Sequence, residues 1–119
     1  MLKEKLMAAK FVLKKTGNGR FVFNLTAPNG LVVLTSEVYN NKNAAMKGID
    51  SVRRNADNSA NFERRVGKNE QPYFVLKAAN QAIIGQSQMY ASPSSVTKGI
   101  ASVRANAAGA GVEDLTIKK

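Results

Sequence analysis

The chain has 119 residues and carries 18 Lys and Arg against 8 Asp and Glu, a formal net charge of +10, with no Cys and no His. The missing cysteines exclude disulfides, a thiolate metal site and a cysteine nucleophile, and the missing histidines remove the usual general base and the commonest metal ligand. The length fits one domain, and no apolar stretch approaches membrane-span length.

Residues 1–9 read as an N-terminal extension in which Glu4 and Lys10 interrupt any apolar run long enough for a signal peptide. A small chain without disulfides is expected in the cytoplasm. Lys10–Lys15 is a short apolar stretch with lysine ends, a strand, followed by the turn Thr16-Gly17-Asn18-Gly19. Arg20–Ala27 alternates, with Phe21, Phe23 and Leu25 on one face and Val22, Asn24 and Thr26 on the other. Pro28-Asn29-Gly30 turns the chain into a third strand, Leu31–Ser36. Ala45, Ile49, Val52 and Ala56 then share one helical face, which places a helix near Asn41–Arg54.

Asn61–Val66, Tyr73–Ala78 and Ile83–Ser87 are the next three strands, and Val96, Ile100, Val103 and Ala107 mark a second helix near Ser92–Ala105. Ser92 stands as its N-cap and Pro93 at its first position. Asn55 and Asn106 are expected to close the helices in the left-handed conformation. Val112–Ile117 is a last strand that brings apolar weight to the end of the chain.

The two halves are copies. Lys47-Gly-Ile-Asp-Ser-Val-Arg-Arg-Asn-Ala56 returns 51 residues later as Lys98-Gly-Ile-Ala-Ser-Val-Arg-Ala-Asn-Ala107, identical at eight of ten positions. From Asn18 to Ala56, 15 of 39 positions repeat without a gap, including Phe23 with Phe74, Ser36 with Ser87 and Tyr39 with Tyr90. Halves of about fifty residues are too small for a comfortable core each, so the copies are expected to share one across a pseudo-two-fold axis, as a monomer.

Phe74-Val-Leu-Lys-Ala-Ala-Asn80, Ile84-Gly-Gln-Ser-Gln-Met-Tyr90 and Gly99-Ile-Ala-Ser-Val-Arg-Ala-Asn106 resemble the tandem form of the bacterial YegP-like family, over residues from about 10 to 117. The resemblance implies an α+β fold of two tandem β-β-β-α-β repeats sharing one antiparallel sheet, with two helices on one face and exchanged C-terminal strands. Repeat one then covers about 10–60 and repeat two about 61–119, in one domain of residues 10–119. The resemblance implies no activity, cofactor or partner. Gly30 is replaced by Gln81 in the second copy, and Pro28 by Ala79.

Catalysis is a poor reading of the remaining side chains. Glu113 and Asp114 are the one adjacent acidic pair, and neighbours on a strand point to opposite faces. Gly48 and Gly99 interrupt their helices at equivalent sites, which predicts close approach of the helix backbone to the sheet or to the other helix. Tyr39 and Tyr90 precede the helices and are expected to pack over the sheet with the hydroxyl capping or meeting solvent. Arg53 and Arg104 flank the apolar helix faces, with heads expected in water. Lys14, Arg20, Arg53, Arg54, Arg64 and Arg65 form the candidate patch for nucleic acid or an acidic protein. Two functions stand: a small non-catalytic interaction module, or a basic protein that binds nucleic acid through phosphates with little regard to sequence. A continuous basic stripe favours the second and scattered charge the first. No cofactor, metal or membrane partner is expected.

Overall fold

The computed structural model describes residues 8–117, so the N-terminal extension up to residue 7 lies outside the described residues. Seven strands and two helices follow in order: β1 (Lys10–Lys15), β2 (Phe21–Thr26), β3 (Val32–Ser36), α1 (Lys42–Asn55), β4 (Phe62–Val66), β5 (Pro72–Lys77), β6 (Ile83–Gln86), α2 (Pro93–Asn106) and β7 (Gly111–Asp114). They build one sheet of order β4-β5-β6-β3-β2-β1-β7. The halves join at its centre, where Thr35 of β3 pairs antiparallel with Gln86 of β6. These two residues are themselves repeat equivalents, so the pseudo-two-fold axis passes between them. It relates β1, β2, β3 and α1 to β4, β5, β6 and α2. The register slips once in each half, between Leu25 and Thr26 and between Leu76 and Lys77.

The expected antiparallel sheet is mixed at one edge, because β7 runs parallel to β1. β6, the strand before α2, runs opposite to β7, so α2 carries the chain past β3, β2 and β1 and returns it reversed, in the same direction as β1. The strand after each helix lies on the half-sheet of the other copy, β4 beside β5 and β7 beside β1. The exchange is nevertheless unequal. β4 takes the place equivalent to β1, and β7 has no counterpart beside β4 among the described residues.

One layer of apolar side chains lies between sheet and helices. Phe11, Leu13, Phe23 and Leu25 from one half and Phe74 and Leu76 from the other are fully buried with Ile49, Val52, Val96 and Val103. The helices straddle the boundary, α1 touching β5 and β6 and α2 touching β3. Removing one half therefore strips the other of part of its cover.

Local chemistry repeats with the fold. Asn41 and Ser92 cap the helices by accepting from the backbone N–H groups of Ala44 and Ser95. Ser36 is buried, its Oγ accepting from Phe23 N–H at 2.9 Å and donating to the Glu37 carbonyl at 2.7 Å. Ser87 does the same with Phe74 and Gln88. Asn55 and Asn106 do not adopt the expected left-handed conformation. They are the last helical residues, their amides donating back to the carbonyls of Ser51 and Ser102 at 2.8 Å, and right-handed Ala56 and Ala107 follow. Gln81 is left-handed, with φ 72° where its equivalent Gly30 has 87°.

Candidate functional site

Gly48 and Gly99 are packing sites: the helix backbone comes close to the sheet, where Phe23 and Phe74 would lie 3.1 Å from an added Cβ, and a tyrosine fills the space nearer still. A Cβ on Gly48 would stand 2.7 Å from Tyr39 Cζ and closer still to its hydroxyl; one on Gly99 would stand 2.8 Å from Tyr90 Cζ. Each ring lies flat over the core phenylalanine of its own copy. Tyr39 stacks on Phe23 at 6.1 Å and 7°, and Tyr90 on Phe74 at 6.4 Å and 12°. Burial pushes both phenols above their ordinary pKa, with Glu37 adding to the effect at Tyr39. The space in the Cβ direction of each glycine is filled by its own chain, so these positions hold a fold together; Gly99 and Tyr90 also border an open cavity of about 390 Å³ with Leu31, Val32 and Lys98.

The arginines of the helix ends are also tied inward. Arg53 Nη2 donates to the Ala110 carbonyl at 2.7 Å, and its guanidinium lies 5.2 Å from the Phe11 ring centroid. Arg104 Nη2 donates to the Asp57 carbonyl at 3.1 Å. Each helix thus grips the loop leaving the other helix. The Arg53 head is only partly in water, short of the full exposure expected, because the α2 exit loop crosses beside it and takes Nη2. The two helix ends and their loops frame a cleft of about 390 Å³ with Arg53, Arg54 and Arg104 on its walls. Arg104, the repeat equivalent of Arg53, lies outside the six-residue candidate patch, and the structure brings it to the same cleft.

Of the six candidate patch residues, only Arg53 and Arg54 meet at that cleft. Lys14 follows buried Leu13 on β1 and so stands on the sheet face away from the helices. Arg20 sits at the exposed end of the first turn, its N–H bonded to Thr16 Oγ1. Arg64 lies on the helix side of β4, reaching Thr97 Oγ1 at 2.6 Å and the Pro93 carbonyl at 3.3 Å. Arg65 is on the opposite face, bonded to Glu63 at 2.8 Å. Lys77 also pairs with Glu63. These two cations hold the Glu63 carboxyl below the usual range, Lys77 foremost. β1 and β4 are five strand steps apart in the sheet, about 24 Å. The six side chains therefore do not form one stripe.

The edges of the sheet carry a second contrast. β7 is bound to β1 by polar groups: Lys10 pairs with Glu113 at 2.7 Å, and Lys42, the first residue of α1, pairs with Asp114. Lys42 and then Thr116 lower the Asp114 pKa to about 2. Thr116 N–H and Oγ1 both donate to the same carboxylate oxygen, which turns the chain and ends the strand at Asp114, short of the expected Ile117. Val112, Leu115 and Ile117 are largely exposed, so the apolar weight read in this segment is not what seats it. β4, at the other end, has a neighbour on one side alone among the described residues.

The repeat and its geometry agree with known proteins. The family described as "Domain of unknown function (DUF1508)" matches twice, over residues 17–63 and 68–114, which are the same 51-residue offset. A UPF0339 protein of Pasteurella multocida is 52% identical over 106 residues, spanning 89% of this chain and 93% of that one. The UPF0339 protein YegP of Escherichia coli K12 is 48% identical over 110 residues, 92% of this chain and 100% of that one. The solution NMR structure of E. coli YegP, titled a protein of unknown function, aligns with a TM-score of 0.86 at 48% identity, covering 92% of this chain and 94% of that chain. That of a UPF0339 protein from Shewanella oneidensis aligns at 0.85 and 47%, covering 92% of each. None of these names assigns a reaction. With two matched repeats at the spacing seen in the fold, and relatives near half identity over most of its length, the chain belongs to the YegP-like UPF0339 family in its two-repeat form.

Proposed function

We propose that the protein is a small non-catalytic interaction module whose partner is an acidic protein surface. The observation that carries this reading is the scatter of the basic side chains. A phosphate backbone is best followed by cations in a row, one per few ångströms of strand. Here Lys14 and Arg65 lie on one sheet face at opposite ends, Arg64 lies on the other face, and Arg53 is bonded to Ala110. The carboxylates support the same reading, since Glu63, Asp114, Glu113 and Asp50 are each paired with a Lys or Arg, a poor arrangement for acid–base work.

The test is recovery of partners from lysate by the immobilised full chain, with and without nuclease, at two salt concentrations. The expected result is a protein partner that survives nuclease and weakens with salt. Capture that disappears on nuclease treatment overturns the reading in favour of nucleic acid. Because Arg54 and Arg65 stand on different surfaces, single charge reversals are the informative variants, and each should leave the fold intact.

A further inference from the structure

The pseudo-two-fold axis carries β7 onto an empty place. Applied to the β1–β7 pair, it puts a parallel strand beside the outer edge of β4, where no described residue lies. The main chain there is equivalent to that of β1. Leu13, whose carbonyl accepts from Leu115 N–H at 2.9 Å, corresponds to Arg64, so the alternation of the ladder turns the groups of Phe62, Arg64 and Val66 outward. We propose that the outer edge of β4 is a docking seat for an extended acidic segment of a partner protein, added in parallel as β7 is added to β1. The proposal rests on the interaction-module reading and names the partner's chemistry.

The occupant's character follows from what β7 does in the filled seat. In register, Val12 stands beside Glu113 and Leu13 beside Asp114. Asp114 reaches across the helix side to Lys42 at the start of α1. In the second copy both positions change together: Lys42 becomes Pro93 and Leu13 becomes Arg64. The cation on the helix side has moved from the helix to the strand, and Arg64 now leans over the start of α2 against Pro93 and Thr97. An acidic side chain at the Asp114 position of an added strand would meet that guanidinium. On the opposite face the Glu113 position falls beside Glu63, whose charge is already met by Arg65 and Lys77, so the selection for an acidic side chain is made on the helix side, at Arg64. A shallow cavity of about 210 Å³, lined by Val66, Pro72, Pro93 and Val96 between the two arginines, adds apolar contact.

Charges on an edge strand commonly guard against edge-to-edge aggregation. Arg64 and Arg65 do this against apolar strands and against a second copy, whose own edge carries the same charges. They leave the edge open to a strand of opposite sign, so main-chain pairing supplies affinity and Arg64 supplies selection.

The experiment titrates the full-length 15N-labelled protein with a synthetic peptide Gly-Val-Glu-Asp-Leu-Thr-Ile, the sequence of residues 111–117. A scrambled peptide of the same composition serves as the control for charge alone. The expected result is saturable shifts of the amides of Phe62–Val66 and of the first turn of α2, with the scrambled peptide weaker by about tenfold. Arg64→Glu should weaken binding by at least about tenfold, the loss of a charge-assisted pair. Shifts at Lys10–Leu13 would mean exchange with the resident β7, and equal response to both peptides would mean charge without a seat. Either overturns the proposal, as does concentration-dependent broadening of the β4 amides without peptide, which would make a second copy the occupant. Should Arg64→Glu fail to fold, the wild-type shift map decides alone. A silent titration beside nuclease-resistant capture of a protein partner removes the seat and leaves the module reading standing.

Discussion

Gly99→Ala measures directly whether the helix glycines are packing sites. In an exposed helix interior this change adds about 1 kcal/mol of stability, through propensity alone. Here the new methyl group would overlap Tyr90, whose hydroxyl and Cζ are its nearest neighbours. The hydroxyl is the far end of a side chain, which usually can give way. This ring is half-buried and stacked flat on fully buried Phe74, so moving it forfeits part of an aromatic contact worth about 0.5–1.5 kcal/mol. Overpacking of this kind costs about 1–3 kcal/mol. The net expectation is a loss of about 0–2 kcal/mol where an open helix face would gain. With an unfolding entropy near 2.1 cal/mol/K per residue, each kcal/mol shifts the melting temperature of a chain of this length by about 4 °C. Thermal unfolding followed by circular dichroism distinguishes a fall of a few degrees from a rise of similar size. Tyr90→Phe removes the closest atom, so Gly99→Ala should cost less in that background. The coupling expected from a double-mutant cycle is about 0.5–1 kcal/mol. Gly48→Ala with Tyr39→Phe should repeat the result. A Gly99→Ala protein that melts higher than wild type, with no coupling to Tyr90, refutes the packing explanation.

Asp114→Asn should lower the melting temperature at pH 5, and the difference should shrink steeply as pH falls toward 2 and vanish below it. The folded carboxyl titrates at about 2, below its ordinary 3.8, so its contribution is present above the ordinary value and is lost as pH falls through the folded one. Gln81→Gly should raise stability by about 1 kcal/mol, because the left-handed φ of 72° is costly for a side chain and free for glycine; an unchanged melt would show the turn unstrained. Deleting residues 111–119 should cost about 2 kcal/mol through the lost ladder with β1, and unchanged unfolding would show β7 to be peripheral. Residues 1–59 alone should give no cooperative monomeric transition, since α1 packs on β5 and β6 of the other half.

Much of the fold was legible because the informative signals are short-ranged. Strand alternation at Phe21–Leu25, the Ser92-Pro93 start and the 51-residue offset each act within a few residues or by simple identity. The helices fall within one residue of their expected bounds. What escaped depends on where the chain goes after a helix. The contact of Arg53 with Ala110 spans 57 residues in sequence and exists because the α2 exit loop crosses the other half. The parallel seating of β7 beside β1 likewise joins the two ends of the chain, beyond the reach of any local pattern. Asn55 and Asn106 misled because an Asn at a helix end serves equally as a left-handed residue or as a donor to the preceding turn, and Ser51 and Ser102 decide for the second. The candidate patch failed as a patch for a related reason. Sequence neighbours Arg64 and Arg65 alternate on a strand, so adjacency there separates charges onto opposite faces.

The repeat also sorts the side chains by what they are for. Within the ten-residue motif, the identical positions other than the exposed Lys47 and Lys98 serve the fold in both copies: glycine with tyrosine, valine in the core, arginine on the opposite exit loop, asparagine on serine. The two that differ, Asp50 with Ala101 and Arg54 with Ala105, lie on exposed helix surface. Outside the motif the same division holds at the sheet edges, where Leu13 and Lys42 give way to Arg64 and Pro93. A duplicated fold needs its shared positions to close the core, and those positions are used up in doing so. A function particular to this molecule must then reside where the copies diverge. The largest divergence in architecture is the strand that one half has and the other lacks. β4 is the edge that remains, and its arginines have no equivalents in β1 at the same positions except Lys14. Selection for a partner would act there with little disturbance of the core, because neither Arg64 nor Arg65 is itself buried.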